Sequence, residues 1–354
     1  MPINASIAVL AADSALARSV ANQISGQQRF SVPTQFNTND ADSAVTFGES
    51  VTLTAIPADP ELFDPHQLGS FLAWGADIAL LVVDSSAGID GETIQRAQEV
   101  AQHHPLMAAV TGLNSPRANF DESLAVISRV MGQGHHVVAI TLPVLQELDI
   151  KNDSDVAGIL DLVDLQIRVP GTDGLLNSHE LEQAHYDLIE SHIEALTNAV
   201  VVTSTDENLI HSVLKHGFES VDQLRGELLS ATSRREVIPV FALADSIGVT
   251  ELASFICGLN LKPWTPKHTA VGIFLGTTFG SNLIRIWQGE LKVGTYFADG
   301  TEIDITHIHT IEGSAKKTAK AGDIVKIKTQ GELLPGSTIS DAKSSPLAVD
   351  HAFE

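Results

Sequence analysis

A run of six apolar residues, Ile78-Ala-Leu-Leu-Val-Val83, stands between Asp77 and Asp84 and gives way at once to the small residues Ser85-Ser-Ala-Gly88. The run is too short for a buried helix and has no polar alternation, so it predicts a strand covered on both faces. Similar short runs recur at 7–11, 51–56, 106–110, 137–140 and 237–241, several of them too apolar for a sheet with a wet face. Helical periodicity separates most of them, as at 93–102 and 120–130. Strands that alternate with helices in this way predict an α/β domain built on a mainly parallel sheet flanked by helices.

The pattern changes after Ala270. Glycine turns at Gly289-Glu290 and Ala298-Asp-Gly300 separate short strands, and Val325 and Ile327 alternate with Lys326 and Lys328, which predicts a small β-barrel. Two prolines stiffen the link Lys262-Pro-Trp-Thr-Pro266 between the two patterns. The expected organisation is an α/β domain over 1–262 with an irregular insertion at about 146–208, a barrel over 267–341 and a poorly ordered tail at 342–354. Within the insertion, Val200-Val-Val-Thr203 is β-branched, and periodicity alone leaves that element open between strand and helix.

Charge narrows the function classes. Of a formal net charge of −23, residues 1–263 carry −22, with 12 Lys and Arg against 34 Asp and Glu, while 264–354 carry 9 against 10. Affinity for nucleic acid comes largely from neutralising phosphates, so DNA is not an expected partner and the first part of the chain is a poor surface for RNA. One cysteine, Cys257, permits neither an intrachain disulfide nor a cysteine zinc site, and its apolar neighbours predict a buried, inert thiol. No apolar stretch approaches the roughly 18 residues of a membrane span. The N-terminal run at 7–12 lacks a preceding positive charge and meets Asp13 directly, which reads as a first strand rather than a secretion signal. The expected location is the cytoplasm, with no membrane partner.

The turn Asp84-Ser-Ser-Ala-Gly88-Ile-Asp90-Gly-Glu92-Thr93 resembles the corresponding segment of elongation factor G and the translational GTPases. The likeness continues in order. Leu142-Pro-Val144, Gly158-Ile-Leu-Asp-Leu-Val163 and Ala184-His-Tyr186 resemble that family's insertion; Asp206-Glu-Asn-Leu-Ile210, Ile238-Pro-Val-Phe241 and Gly248-Val-Thr-Glu-Leu252 resemble the end of its G domain. Trp287-Gln-Gly289 to Gly294 and Ala319-Lys-Ala-Gly322-Asp323 are similar to its second, barrel domain. The resemblance spans about 7–340 and implies a P-loop-NTPase-like sheet followed by a barrel of the translation-factor type.

The residues that would hold nucleotide depart from that family. Its phosphate loop uses glycines, a Lys for the phosphate oxygens and a hydroxyl for magnesium; the matching positions here are Leu16, Ala17 and Arg18, with Asp13 adding a like charge. The Asp-x-x-Gly turn is replaced by Ala55-Ile-Pro-Ala58, Asp59 stands where the catalytic His would be, and no counterpart of the first switch occurs within 35–51. The guanine-reading Asn-Lys-x-Asp becomes Thr111-Gly-Leu-Asn114, and the later Ser-Ala turn becomes Ala244-Asp245. Three lost contacts at about 2 kcal/mol each amount to roughly ten-thousandfold in affinity. The expectation is a vestigial site at Asp13, Leu16, Ala17, Arg18, Asn114 and Asp245, with no catalytic residue, no bound cofactor and no metal.

Other candidates are weaker. The neighbours His103-His104 and His135-His136 point apart rather than converge, and surface loops suit them; His307 and His309 share one face of a strand without an evident third ligand. Two readings of function follow. The first is a non-hydrolysing elongation factor G-like module that binds a protein or the ribosome through the α/β domain or the barrel, where Lys316, Lys317 and Lys320 could make contact. The alternative is a divergent translational GTPase that keeps GTP or GDP with magnesium. The chain stops where the family's third to fifth domains would begin, so translocase activity is not expected. Oligomeric state stays open.

Overall fold

The computed structural model describes residues 3–25, 30–33, 47–58, 68, 72, 75–146, 155–171, 176–182, 185–259, 271–278, 281–310, 313–331, 333–334 and 336–341. Asp59, most of the expected switch segment, the link at 262–266 and the tail at 342–354 lie outside them. The chain divides into two compact units that interleave in sequence: Met1–Ala8 with Pro33–Asp77 and Leu261–Glu354, and Val9–Val32 with Ile78–Asn260.

The main sheet contains β1 (Ile3–Ala11), β2 (Phe30–Pro33), β3 (Phe47–Pro57), β4 (Ile78–Asp84), β5 (Leu106–Thr111), β6 (His136–Ala139) and β11 (Val237–Ala242), in the order β2-β3-β1-β4-β5-β11-β6. The pairs β4 to β5, β5 to β11 and β11 to β6 are parallel. Every residue of β5 and β11 is buried, as are Ile78 to Val83 of β4. That is the two-faced burial expected from their unbroken apolar runs.

Helices α1 (Ser14–Ser25), α2 (Gly91–Ala101), α3 (Phe120–Met131), α4 (Tyr186–Thr203), α5 (Glu207–His216), α6 (Val221–Ser233) and α7 (Val249–Gly258) are the ones formed by described residues. Several of their starts carry the side chains that helix entry favours. Asp90 accepts from the N–H and hydroxyl of Thr93 at 2.9 and 2.8 Å, Asn119 from Glu122 N at 3.1 Å, and Ser220 from Gln223 N at 3.1 Å. Burial pushes the Asp90 carboxyl up, but these bonds hold it below the usual carboxylate range. The segment left open by periodicity is helical. α4 continues through Val200 because Leu196, Ala199 and Val200 are buried, and packing overrides β-propensity. The Thr203 hydroxyl closes its last turn by donating to Ala199 O at 2.8 Å.

A second, antiparallel sheet lies within the expected insertion and just before it: β7 (Thr141–Gln146), β8 (Asp155–Asp161), β9 (Gln166–Pro170) and β10 (Leu176–Glu180), ordered β10-β9-β8-β7. It continues directly from β6, and the Thr141 hydroxyl, fully buried, accepts from Ala242 N at 2.8 Å.

The other unit holds a closed barrel of β12 (Val271–Thr278), β13 (Ser281–Gln288), β18 (Ile324–Gln330), β16 (Thr301–His309), β15 (Gly294–Ala298) and β19 (Thr338–Ser340), with β14 (Glu290–Lys292) paired to β17 (Thr318–Lys320). Its core is Phe274, Ile284, Ile286, Ile305, Ile308 and Ile327 with their neighbours. The buried guanidinium of Arg285 pairs with Asp77 at 2.6 Å and donates to Gly75 O. Asp77 in turn accepts from Ser6 N at 2.8 Å, so one carboxylate joins three distant segments of this unit.

Cys257 is buried on α7, and burial pushes its thiol up to about 11. The folded protein therefore resists its ionisation until the pH climbs well above the ordinary thiol range. At pH 8, labelling of native Cys257 by a thiol reagent is expected to run at least ~100-fold slower than in denaturant, since two pH units set the thiolate fraction. Equal rates would show that the site opens freely.

Candidate functional site

In a parallel sheet the polar chemistry gathers where the strands end, because the interior of the strands is dry. The register aligns Asp84 of β4 with Thr111 of β5, and Val110 with Ala242 of β11. The loops that follow these three strands thus emerge from one edge, and they carry Asp84–Gly88, Gly112–Asn114 and Leu243–Asp245.

The first loop is closed by its own carboxylate. Asp84 Oδ1 accepts from Ser86 N at 2.8 Å, from the Ser86 hydroxyl at 2.7 Å and from Ala87 N at 3.2 Å. Partial burial pushes this carboxyl up, yet the three donors together bring it below the usual carboxylate range. The Ser85 hydroxyl accepts from Asn119 N at 2.8 Å and meets the Ser123 hydroxyl at 3.1 Å, which ties the turn to the start of α3.

The second loop packs against the first. Gly112 has φ +69°, and a Cβ placed there would lie 2.6 Å from Asp84 Oδ1. This is the position of the lysine in the resembled guanine motif, so backbone conformation and the Asp84 carboxylate both oppose a side chain. Two residues on, Asn114 is engaged at both ends of its amide. Its Oδ1 accepts from Val156 N of β8 at 2.9 Å, and its Nδ2 donates to Asp245 Oδ2 at 3.3 Å.

Asp245 belongs to the third loop, a tight turn closed by Ala244 N to Ile247 O at 3.1 Å and the return bond at 2.8 Å. It adopts φ 51°, a left-handed conformation that Asp tolerates better than most side chains. The structure therefore brings Asn114 and Asp245, the two positions matched to the resembled family's base-reading turns, into contact with each other. Sequence reasoning missed the third member, Val156, which is 42 positions from Asn114 and contributes only a backbone N–H.

The other four expected site residues lie together at the entry to α1. The link between β1 and α1 is Ala12-Asp13 alone. Asp13 Oδ1 accepts from Ala15 N at 2.8 Å, so a protein carboxylate already occupies a donor of the helix terminus. Leu16 is half-buried, Ala17 is buried, and Arg18 is exposed. His104, expected on the surface, is buried instead. His135 sits on Arg235 O at 2.7 Å, and the rings of His307 and His309 stack at 6.0 Å on one face of β16. Among the described residues no group of three or more His, Cys, Asp or Glu side chains is placed to hold a metal ion.

No family model matches the sequence. A crystal structure of a protein from Thermus thermophilus is similar to the chain, with a TM-score of 0.69 at 17% identity, covering 99% of this chain and 56% of that one. The present chain thus spans little more than half the length of this neighbour. The parallel sheet with flanking helices and the closed barrel fit a translation-factor-like fold.

Two substitutions test this edge. Asn114→Asp restores the resembled family's residue, but it sets two carboxylates about 3.3 Å apart and should destabilise the fold by about 1–2 kcal/mol at neutral pH. Repulsion raises the folded-state pKa of such a pair, so stability is retained below the ordinary carboxylate range and lost as pH rises through it. Denaturant melts at pH 3.5 and 7 should show the difference. Gly112→Ala should cost about 2–4 kcal/mol, from the left-handed backbone and the clash with Asp84.

Proposed function

We propose that this protein is a non-hydrolysing relative of elongation factor G, a binding module linked to translation, with a G-like α/β domain over 1–262 and a translation-factor-like barrel over 267–341. The observation that carries the reading is Asn114. A residue that reads guanine must present its polar atoms to a base, whereas here one end of the amide holds β8 and the other holds Asp245. Binding a nucleotide at that edge would first have to break both bonds, leaving Val156 N without its acceptor.

The entry to α1 supports the same conclusion. A phosphate cradle needs several glycine-rich residues to wrap the anion and a cation to neutralise it. The link here is Ala12-Asp13, it presents a carboxylate, and Ala17 stands where the lysine would be. No nucleotide, magnesium or other cofactor is part of the proposal. The partner is a protein or the ribosome, met in the cytoplasm.

The strongly acidic 1–263 region favours a protein surface for contacts through the α/β domain, while the near-neutral 264–354 region suits closer approach to RNA. Of the barrel lysines, Lys316 is already paired with Asp323 at 2.5 Å. Sedimentation of the tagged chain with ribosomes and with ribosome-depleted extract is the test. Co-sedimentation with ribosomes that is indifferent to added GTP is expected. Co-sedimentation only with GTP would favour the GTPase reading, and none under any condition would remove the link to the ribosome.

A further inference from the structure

Away from the strand edge, one guanidinium gathers three carboxylates. Arg168 of β9 lies 3.1 Å from Asp161 at the end of β8, contacts Asp164 in the intervening turn, and approaches Glu251 in the first turn of α7 at 3.6 Å. Arg225 of α6 stands 3.8 Å from Asp164. These five groups come from β8, its turn, β9, α6 and α7, and β7 adds only the uncharged Thr141 opposite Asp161. Fully ionised, they carry three negative charges against two positive.

The site is too dry to dissolve that imbalance in water, since the side chains of Asp161, Glu251 and Arg168 are only 9%, 7% and 18% exposed. Asp161 Oδ1 has a backbone donor, Val163 N, at 2.9 Å. Glu251 Oε2 is buried with no hydrogen-bond partner. A carboxylate oxygen left without a donor in a dry, net-negative cluster is where a proton is most cheaply accommodated.

We propose that this cluster is a proton-linked clamp: it retains one proton, carried chiefly by Glu251, and its hold of the β7–β10 sheet on α6 and α7 weakens as that proton is lost. The electrostatics agree in direction. Burial pushes Asp161 up, the charge of Asp164 adds to it, and Val163 N and the two arginines only partly offset them. Burial likewise pushes Glu251 up, against its own backbone N–H and the pull of Arg168, and the charges of Asp161 and Asp164 add to the rise. The sign of the pH effect follows. A carboxyl raised by folding contributes stability that is full below the ordinary carboxylate range and lost as pH rises through its folded value.

The test compares the unfolding free energy of the wild-type chain with Glu251→Gln between pH 4.5 and 8, because the contribution of groups outside the cluster cancels in the difference. Glutamine keeps the shape and removes the charge. The variant should lose a linkage slope of about 0.5–1 proton and be at least as stable as wild type at pH 8. A parallel slope in the two proteins, or a variant that is destabilised or fails to fold at pH 8, would overturn the proposal. Carbon-13 NMR of the side-chain carboxyls of the wild-type chain supplies an independent readout. It should show one Asp or Glu titrating above the ordinary carboxylate range and absent from, or shifted in, Glu251→Gln; no such resonance would equally overturn it.

Discussion

The strands β4, β5 and β11 are buried on both faces, and this constraint sets where polar chemistry can occur in the larger unit. Side chains along them have no water to meet, so helices must cover the sheet and all hydrogen bonding beyond the ladder is displaced to the strand ends. Asp84, Gly112, Asn114 and Asp245 stand at one such edge for that reason. In folds of this type the same edge is the usual place for a ligand. Here its polar atoms satisfy one another: Asp84 closes its own turn and abuts Gly112, while Asn114 bridges β8 and the loop after β11.

That self-satisfaction has a physical logic. Carboxylates, amides and loop N–H groups gathered at a strand edge are costly unless each finds a partner. Asp13 on the α1 terminus and Asn114 on Val156 N are partners of this sort, each a protein acceptor on a donor. The β7–β10 sheet gains an anchor from these contacts, since Asn114 fastens β8 while the Arg168 cluster holds the ends of β8 and β9.

Much of this was legible in the sequence, and the reason is local. Apolar runs of the right length revealed the strands, helical periodicity at 93–102 and 120–130 revealed two of the helices, and glycine turns announced the barrel. What was hidden depends on long-range packing. Val200 lies in a helix because that face is buried, not because its backbone prefers it. The partner of Asn114 is a main-chain group with no side-chain signature, and Arg168 meets Glu251 across 83 positions of sequence, a separation no motif spans. His104 was misplaced on the surface because a His pair after a helix carries no signal of burial.

On this reading the strand edge is occupied by the protein itself rather than kept for a nucleotide. Isothermal titration of the purified chain with GTP and with GDP, in the presence of magnesium, addresses that claim most directly. No binding at micromolar concentrations is the result expected from an edge whose amide and carboxylate are already engaged. A dissociation constant in the micromolar range or tighter would show that the edge opens to guanine nucleotide, and the protein would then be a divergent GTPase rather than a module without nucleotide.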